Sequence, residues 1–179
     1  MVLQGLRTFY KLFHFTNEIK YKSVYEDVVK FEDTKYNYRS GQWLTDNYTE
    51  EYTNDVSWCK SSSGILLSRL HTKKFDMVNY NMAIENLLKS LHTDGLSCIC
   101  HGKFGNLLVL KNAIEDMFLG KDLEDEILKS INNAISQPII TQYNIPNSLN
   151  LFTGFTGLGY SLLRICDVKI PNILILEGC

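Results

Sequence analysis

Cys59, Cys100 and His101 carry side chains that bind zinc, and their spacing could bring them to one ion. The adjacent Cys100 and His101 can reach the same ion only where the backbone turns sharply, and Gly102 and Gly105 permit such a turn. Two thiolates and one imidazole form a zinc-type ligand set. Because three protein ligands leave one tetrahedral position open, a substrate thiol could bind there and lose its proton near neutral pH.

The same residues also admit a structural interpretation. Cys100 could be half-buried while His101 caps the following helix, and Cys98 could complete a four-ligand structural site. In an extended segment, however, Cys98 would point to the face opposite Cys100, because side chains alternate along a strand. The residues alone leave these alternatives open.

Cysteine usage and the N-terminal residues indicate a soluble, cytosolic chain. The five cysteines are an odd number and no export signal is evident, since Arg7 interrupts the apolar start after six residues. We therefore expect reduced thiols rather than a disulfide framework. Cys166 follows Leu162 and Leu163 at helical spacing, which predicts a core position, and the terminal Cys179 is expected to be incidental.

Length and charge argue against several classes of protein. With 179 residues, 45% of them hydrophobic, the chain fits one globular domain. Lys and Arg number 18 against 20 for Asp and Glu, so no overall field would attract nucleic acid or an anionic membrane. No segment approaches the roughly 18 apolar residues of a membrane span. We therefore expect neither a nucleic-acid partner nor a membrane span.

A weak internal repeat supplies the elements that would position the metal-binding side chains. Three segments share a small-residue turn leading into an apolar helix, and their glycines Gly64, Gly105 and Gly157 lie 41 and 52 residues apart. Such a period is the length of a helical hairpin with its connections. Stacked hairpins with their turns on one rim would bring Cys59 beside Cys100 and His101.

Apolar residues recur at helical spacing along most of the chain, and period-two alternation is hard to find. Two amphipathic helices open the chain, and a long polar loop over 37–57, anchored by Trp43, follows them. Pro138 and Pro146 bracket a later turn-rich connection. The fold class is therefore all-α, with further helices predicted over 64–71, 77–91, 105–118, 123–134 and 157–166.

Several motifs together resemble the LanC-like lanthionine cyclase family, in order and in spacing. They are SWC at 57–59, GILLSRL at 64–70, CHGKFGNL at 100–107 and LFTGFTGLGYSLLR at 151–164. The closing PNILILE at 171–177 is similar to the C-terminal end of class II (LanM-type) lanthipeptide synthetases. The resemblance covers essentially the whole chain.

The resemblance implies a toroid of α-helical hairpins, an α/α barrel, with Zn²⁺ held by Cys59, Cys100 and His101. It also implies the reaction, a Michael-type addition of a precursor-peptide cysteine thiol to dehydroalanine or dehydrobutyrine, which gives a thioether ring. The expected partner is a dehydrated lanthipeptide precursor peptide.

Two departures from the family pattern shape the expectations. The family usually has glycine where Ser61 stands, and a side chain there would be strained if the turn needs positive φ. An upstream His-Gly motif, whose histidine is associated with protonating the enolate, would precede Met1. We therefore expect residues 1–179 to be the C-terminal portion of a cyclase domain, a partial toroid that needs a complementary fragment or is an inactive remnant. A non-catalytic, zinc-stabilised peptide-binding helical module is the alternative.

Other candidate residues have an ordinary structural role beside a functional one. Arg69 is the possible catalytic residue, because its guanidinium could meet a peptide carboxylate or an enolate, although an acid within the fold is the alternative partner. Trp58 could wall the metal pocket or belong to the core. Helix-capping or structural roles are expected for His14, His71 and His92, and a solvated face for the acidic run 122–126.

Overall fold

A computed structural model of the chain describes residues 3–43, 56–59, 61–72, 77–92, 96–116, 120–136 and 148–175. Within these residues the fold is helical, which confirms the predicted all-α class. The elements are α1 (Leu3–Thr16), α2 (Ile19–Asp33), β1 (Tyr36–Asn37), β2 (Gln42–Trp43), α3 (Ser62–Thr72), α4 (Met77–Ser90), α5 (Lys103–Asp116), α6 (Lys121–Ser136), α7 (Phe155–Cys166) and a 3₁₀ turn (Ile173–Ile175). Among the helices described, none is long and apolar enough to cross a bilayer.

The first two helices form an antiparallel pair because α1 ends in a left-handed residue. Asn17 has φ of 56° and its N–H donates to the Phe13 carbonyl at 2.8 Å, which closes the last turn of α1. Asparagine tolerates this conformation better than most residues. The chain then reverses into α2, whose Tyr25 packs its ring against Tyr10 with centroids 5.5 Å apart.

A short antiparallel hairpin corrects the predicted long loop over 37–57. Tyr36 pairs with Trp43, and Asn37 pairs with Gln42. The Asn37 side chain closes the turn by accepting the N–H groups of Arg39 and Ser40 at 2.8 and 3.1 Å. Strands of two residues are too short to show an alternation of apolar and polar residues, so the sequence did not predict the hairpin. Trp43 is 5% exposed and anchors the segment as predicted, while residues 44–55 lie outside the described residues.

Helix α5 lies at the centre of the core. It contacts α3, α4, α6 and α7, and its side chains are buried around the whole circumference. A helix that is covered on every side is stable only when other elements surround it. The apolar side chains of α5 that are fully or almost fully buried are Phe104, Leu107, Leu108, Val109, Leu110 and Ala113, and Asn106 and Asn112 are buried with them at 4% and 3% exposure.

The observed helices match the predicted ones to within about two residues at each described end. Helices α3, α5 and α7 all begin two residues before the glycine that marked their predicted start, at Ser62, Lys103 and Phe155. The three repeats therefore have the same local construction. The Pro138–Pro146 connection and Cys179 lie outside the described residues.

Candidate metal centre

The structure brings Cys59, Cys100 and His101 together, as the repeat predicted. One ligand atom from each residue lies within 4.8 Å of the other two. Cys100 Sγ and His101 Nε2 are 3.9 Å apart. The two cysteines are partly exposed and His101 is exposed, so the cluster opens toward solvent.

The donor set and its spacing fit a metal ion. Tetrahedral zinc with Zn–S near 2.3 Å and Zn–N near 2.0 Å separates its ligand atoms by about 3.5–3.8 Å. The largest separation here, 4.8 Å, exceeds that value by about 1 Å, which side-chain rotation can supply. Two sulfurs and one imidazole nitrogen are also donors that zinc prefers over oxygen ligands. The group could therefore hold a metal ion.

Cys59 is held by the turn that precedes α3. The Ser61 N–H and the Ser61 hydroxyl both donate to the Ser57 carbonyl, at 3.2 and 3.0 Å. The intervening Trp58 is 8% exposed and belongs to the core cluster. This burial fixes the backbone immediately before Cys59, while the thiol itself stays partly accessible.

Cys100 and His101 lie on an equivalent turn before α5. The Lys103 N–H donates to the Leu96 carbonyl at 3.1 Å, and the backbone N–H of His101 donates to Cys98 Sγ at 3.5 Å. Cys98 is 1% exposed, so its sulfur contacts this turn from the interior, and it is not one of the three residues that could hold a metal ion. That placement agrees with the opposite face expected for Cys98.

Ser61 shows what the glycine of this turn is for. Gly102 stands three residues before Gly105, just as Ser61 stands three before Gly64. Among the described residues the only positive φ values belong to Asn17 and Gly41, so neither Gly102 nor Ser61 needs one. A Cβ on Gly102 would instead lie 2.5 Å from Cys98 N and overlap the Leu96 carbonyl. The condition for strain at Ser61, a turn with positive φ, is therefore not met, and the constraint at Gly102 is close approach of the backbone.

Phe152 is a contact that sequence reasoning missed. Its carbonyl accepts the Cys100 N–H at 2.9 Å, and its ring stacks on Trp58 with centroids 5.7 Å apart and planes inclined by 6°. Its place in the repeat could have identified it, because Phe152 stands five residues before Gly157, as Cys100 does before Gly105. Trp58 is accordingly both a core residue and a neighbour of the cluster.

Arg69 lies in a buried ion pair and not in the metal cluster. It is 1% exposed, and its Nη2 donates to Glu32 Oε2 at 2.9 Å and to Asp33 Oδ1 at 3.1 Å. The acid within the fold is thus the partner that the structure shows. Arg69 also follows the start of α3 by about two helical turns, or roughly 10 Å. Its position does not support the suggested contact with substrate.

The remaining candidates occupy mostly ordinary positions. His14 and His92 are exposed, His71 is half-buried in the last turn of α3, and none of the three belongs to the group of described residues that could hold a metal ion. The acidic residues at the start of α6 are largely exposed, as predicted. Cys166, in contrast, is exposed and not in the core. It shares an outward face of α7 with Leu163, which is 61% exposed, while Leu162 packs against the core.

Comparisons with known proteins identify the family of the chain. The family model described as lanthionine synthetase C-like protein matches residues 4–175. A curated relative from Lactococcus lactis subsp. lactis, the lacticin 481/lactococcin biosynthesis protein LcnDR2, is 26% identical over 181 residues. That match covers 88% of this chain and 19% of the relative, so the chain spans about a fifth of the relative's length. The match of the family model over nearly the whole chain shows that this protein belongs to the lanthionine synthetase C-like family.

Proposed function

We propose that the chain contributes the zinc site of a lanthionine cyclase, with Cys59, Cys100 and His101 as the ligands. The observation that carries the proposal is that these three donor atoms lie within 4.8 Å of one another on a partly exposed surface. Bound zinc would lower the pKa of a coordinated peptide thiol and so supply a thiolate nucleophile near neutral pH.

The residues of this chain would hold and orient the reacting sulfur. Two thiolate ligands keep the bound metal electron-rich, and three ligands leave a position for the peptide. In the proposed reaction the cysteine sulfur of a precursor peptide forms a C–S bond to the β-carbon of dehydroalanine or dehydrobutyrine. The π electrons of the dehydro residue's C=C bond move toward the α-carbon, which takes up a proton in place of the one lost by the thiol, so the mass of the peptide does not change.

We further propose that the chain is the C-terminal part of the cyclase domain of a class II lanthipeptide synthetase. The similarity of PNILILE at 171–177 to the end of such synthetases supports this assignment. So does the relative named for lacticin 481 biosynthesis, of whose length the match covers 19%. On this proposal the donor of the α-carbon proton belongs to a complementary part of the synthetase.

The ligand assignment is tested by the zinc content of the purified chain. Elemental mass spectrometry should find about one zinc per wild-type chain and little in Cys59→Ala or Cys100→Ala, because two remaining donors bind zinc far more weakly than three. Cys166→Ala is the matched control, since Cys166 is an exposed cysteine outside the group. Full zinc retention in both ligand variants would refute the assignment.

The reaction is tested with a synthetic peptide that contains one cysteine and one dehydroalanine. We expect the zinc-loaded chain, supplied with the complementary part of a related synthetase, to protect the peptide from thiol alkylation at unchanged mass. Cys59→Ala should abolish this protection and Cys166→Ala should preserve it. Zinc that is bound without an exchangeable fourth ligand, together with a peptide that keeps its thiol, would favour the zinc-stabilised peptide-binding module instead.

A further inference from the structure

The three repeats place equivalent residues at one rim, and only two of those residues are metal-binding cysteines. Cys59, Cys100 and Phe152 each stand five residues before the glycine of the following helix. Phe152 therefore occupies, in the third repeat, the position that carries a thiol in the other two. An aromatic ring cannot bind the ion through a lone pair, so its contribution must be of another kind.

Phe152 contacts both turns that carry the cysteines. Its carbonyl accepts the Cys100 N–H at 2.9 Å, which fixes the backbone of one ligand. Its ring lies parallel to that of Trp58, the residue before Cys59, at a centroid distance of 5.7 Å. Stacked aromatic pairs stabilise a contact beyond what the burial of their apolar area contributes.

The backbone of Phe152 is itself well fixed. Asn150 Oδ1 accepts the N–H groups of Phe152 and Thr153 at 2.8 and 3.2 Å, and the Asn150 carbonyl accepts the Gly154 N–H at 2.8 Å. These bonds close the turn between residues 150 and 154. The turn is therefore a rigid base from which Phe152 reaches the other two turns.

We propose that Phe152 is a positioning residue, which holds the Cys59 turn and the Cys100 turn at the separation that one metal ion requires. This inference rests on the proposed zinc site. The hydrogen bond acts on Cys100 and the ring stack acts on Cys59 through Trp58. Neither contact uses a metal-binding atom, so the effect should appear in the affinity and geometry of the ion before any reaction takes place.

Binding of Co²⁺ to the full chain tests this role, because the visible absorption of Co²⁺ reports thiolate ligation and coordination geometry. Phe152→Leu keeps an apolar side chain and removes the stack, and Asn150→Ala loosens the turn that carries the carbonyl. Each substitution should weaken Co²⁺ binding roughly tenfold or more, because the loss of supporting contacts around metal ligands commonly has an effect of that size. Each should also alter the spectrum. Phe152→Tyr restores a ring and should restore both.

Phe155→Ala is the matched control, since Phe155 is another phenylalanine of the third repeat and is 44% exposed. Its affinity and spectrum should equal those of the wild type. Circular dichroism of the metal-free variants separates a positioning role from loss of the fold, because Phe152→Leu and Asn150→Ala should keep wild-type helicity. If Phe152→Leu and Asn150→Ala both bind Co²⁺ with the wild-type affinity and spectrum, the role of Phe152 is overturned and the metal site stands. If the wild type itself binds no Co²⁺, the metal site is refuted and this role with it.

Discussion

Gly157 and Gly159, both in α7, differ in the atoms that lie against them. A Cβ on Gly157 would overlap the Leu151 carbonyl oxygen and would lie 3.2 Å from Ile99 Cδ1. Gly159, on the same helix, has nothing within 4 Å of that point. Two glycines that look alike in the sequence therefore differ completely in what a methyl group would meet.

This difference predicts opposite effects of the same substitution. Gly157→Ala should lower the free energy of unfolding by roughly 1–3 kcal/mol or more, because the backbone must move to admit the methyl group. Gly159→Ala should raise it by up to about 1 kcal/mol, since alanine favours the helix and meets open space. Urea unfolding followed by circular dichroism measures both. Equal and small changes in the two variants would contradict the close approach at Gly157.

The contact between α2 and α3 contains a buried carboxyl group whose titration couples to folding. Glu32 is 4% exposed and bonded to Arg69. Burial raises the pKa of Glu32 from 4.5 to about 7, although the Arg69 charge acts in the lowering direction and Asp33 adds to the rise. Between those two pH values the folded chain therefore binds more protons than the unfolded chain.

Stability should consequently fall as the pH rises. The folded state is favoured by Glu32 below pH 4.5, and this contribution is lost as the pH passes through about 7. The expected loss is up to about 3 kcal/mol, at 1.36 kcal/mol for each pH unit. Urea midpoints of the metal-free chain across this range measure it, and Glu32→Gln should remove most of the slope.

Asp33→Asn provides the matched control for this effect. Asp33 contacts the same guanidinium, yet its side chain is 60% exposed, and the substitution should keep most of the slope. If stability changes with pH to the same extent in the wild type and in Glu32→Gln, then Glu32 is ionised in the folded chain throughout the range.

At the level of elements, sequence periodicity was a good guide to helices and a poor guide to their partners. Apolar spacing predicted the helices because the period of the apolar residues can be read within one segment, whatever that segment packs against. It could not identify Glu32 as the partner of Arg69, since the two residues are 37 positions apart and only tertiary packing joins them. It also placed Cys166 in the core, whereas Cys166 lies on the exposed face of α7 together with Leu163.

For the molecule as a whole, the repeat was the informative signal. It predicted that Cys59 would lie beside Cys100, 41 residues away, because equivalent turns of stacked hairpins share a rim. It did not reveal how the turns are held together. The contacts of Phe152 join three segments that are far apart in the sequence, and α5, which follows the Cys100 turn, packs against both α3 and α7.

A metal ion at this rim would join two hairpins, and its effect should therefore extend to the whole chain. An ion bound only by the folded state, at a free concentration 100-fold above its dissociation constant, raises the free energy of unfolding by about 2.7 kcal/mol. We expect zinc to raise the urea midpoint of the wild type and of Cys166→Ala, and to leave that of Cys59→Ala almost unchanged. Stoichiometric zinc in the wild type with an unshifted midpoint would mean that the unfolded chain binds the ion equally well. The thiols would then act as local ligands, and the rim built by the three repeats would contribute nothing to their affinity.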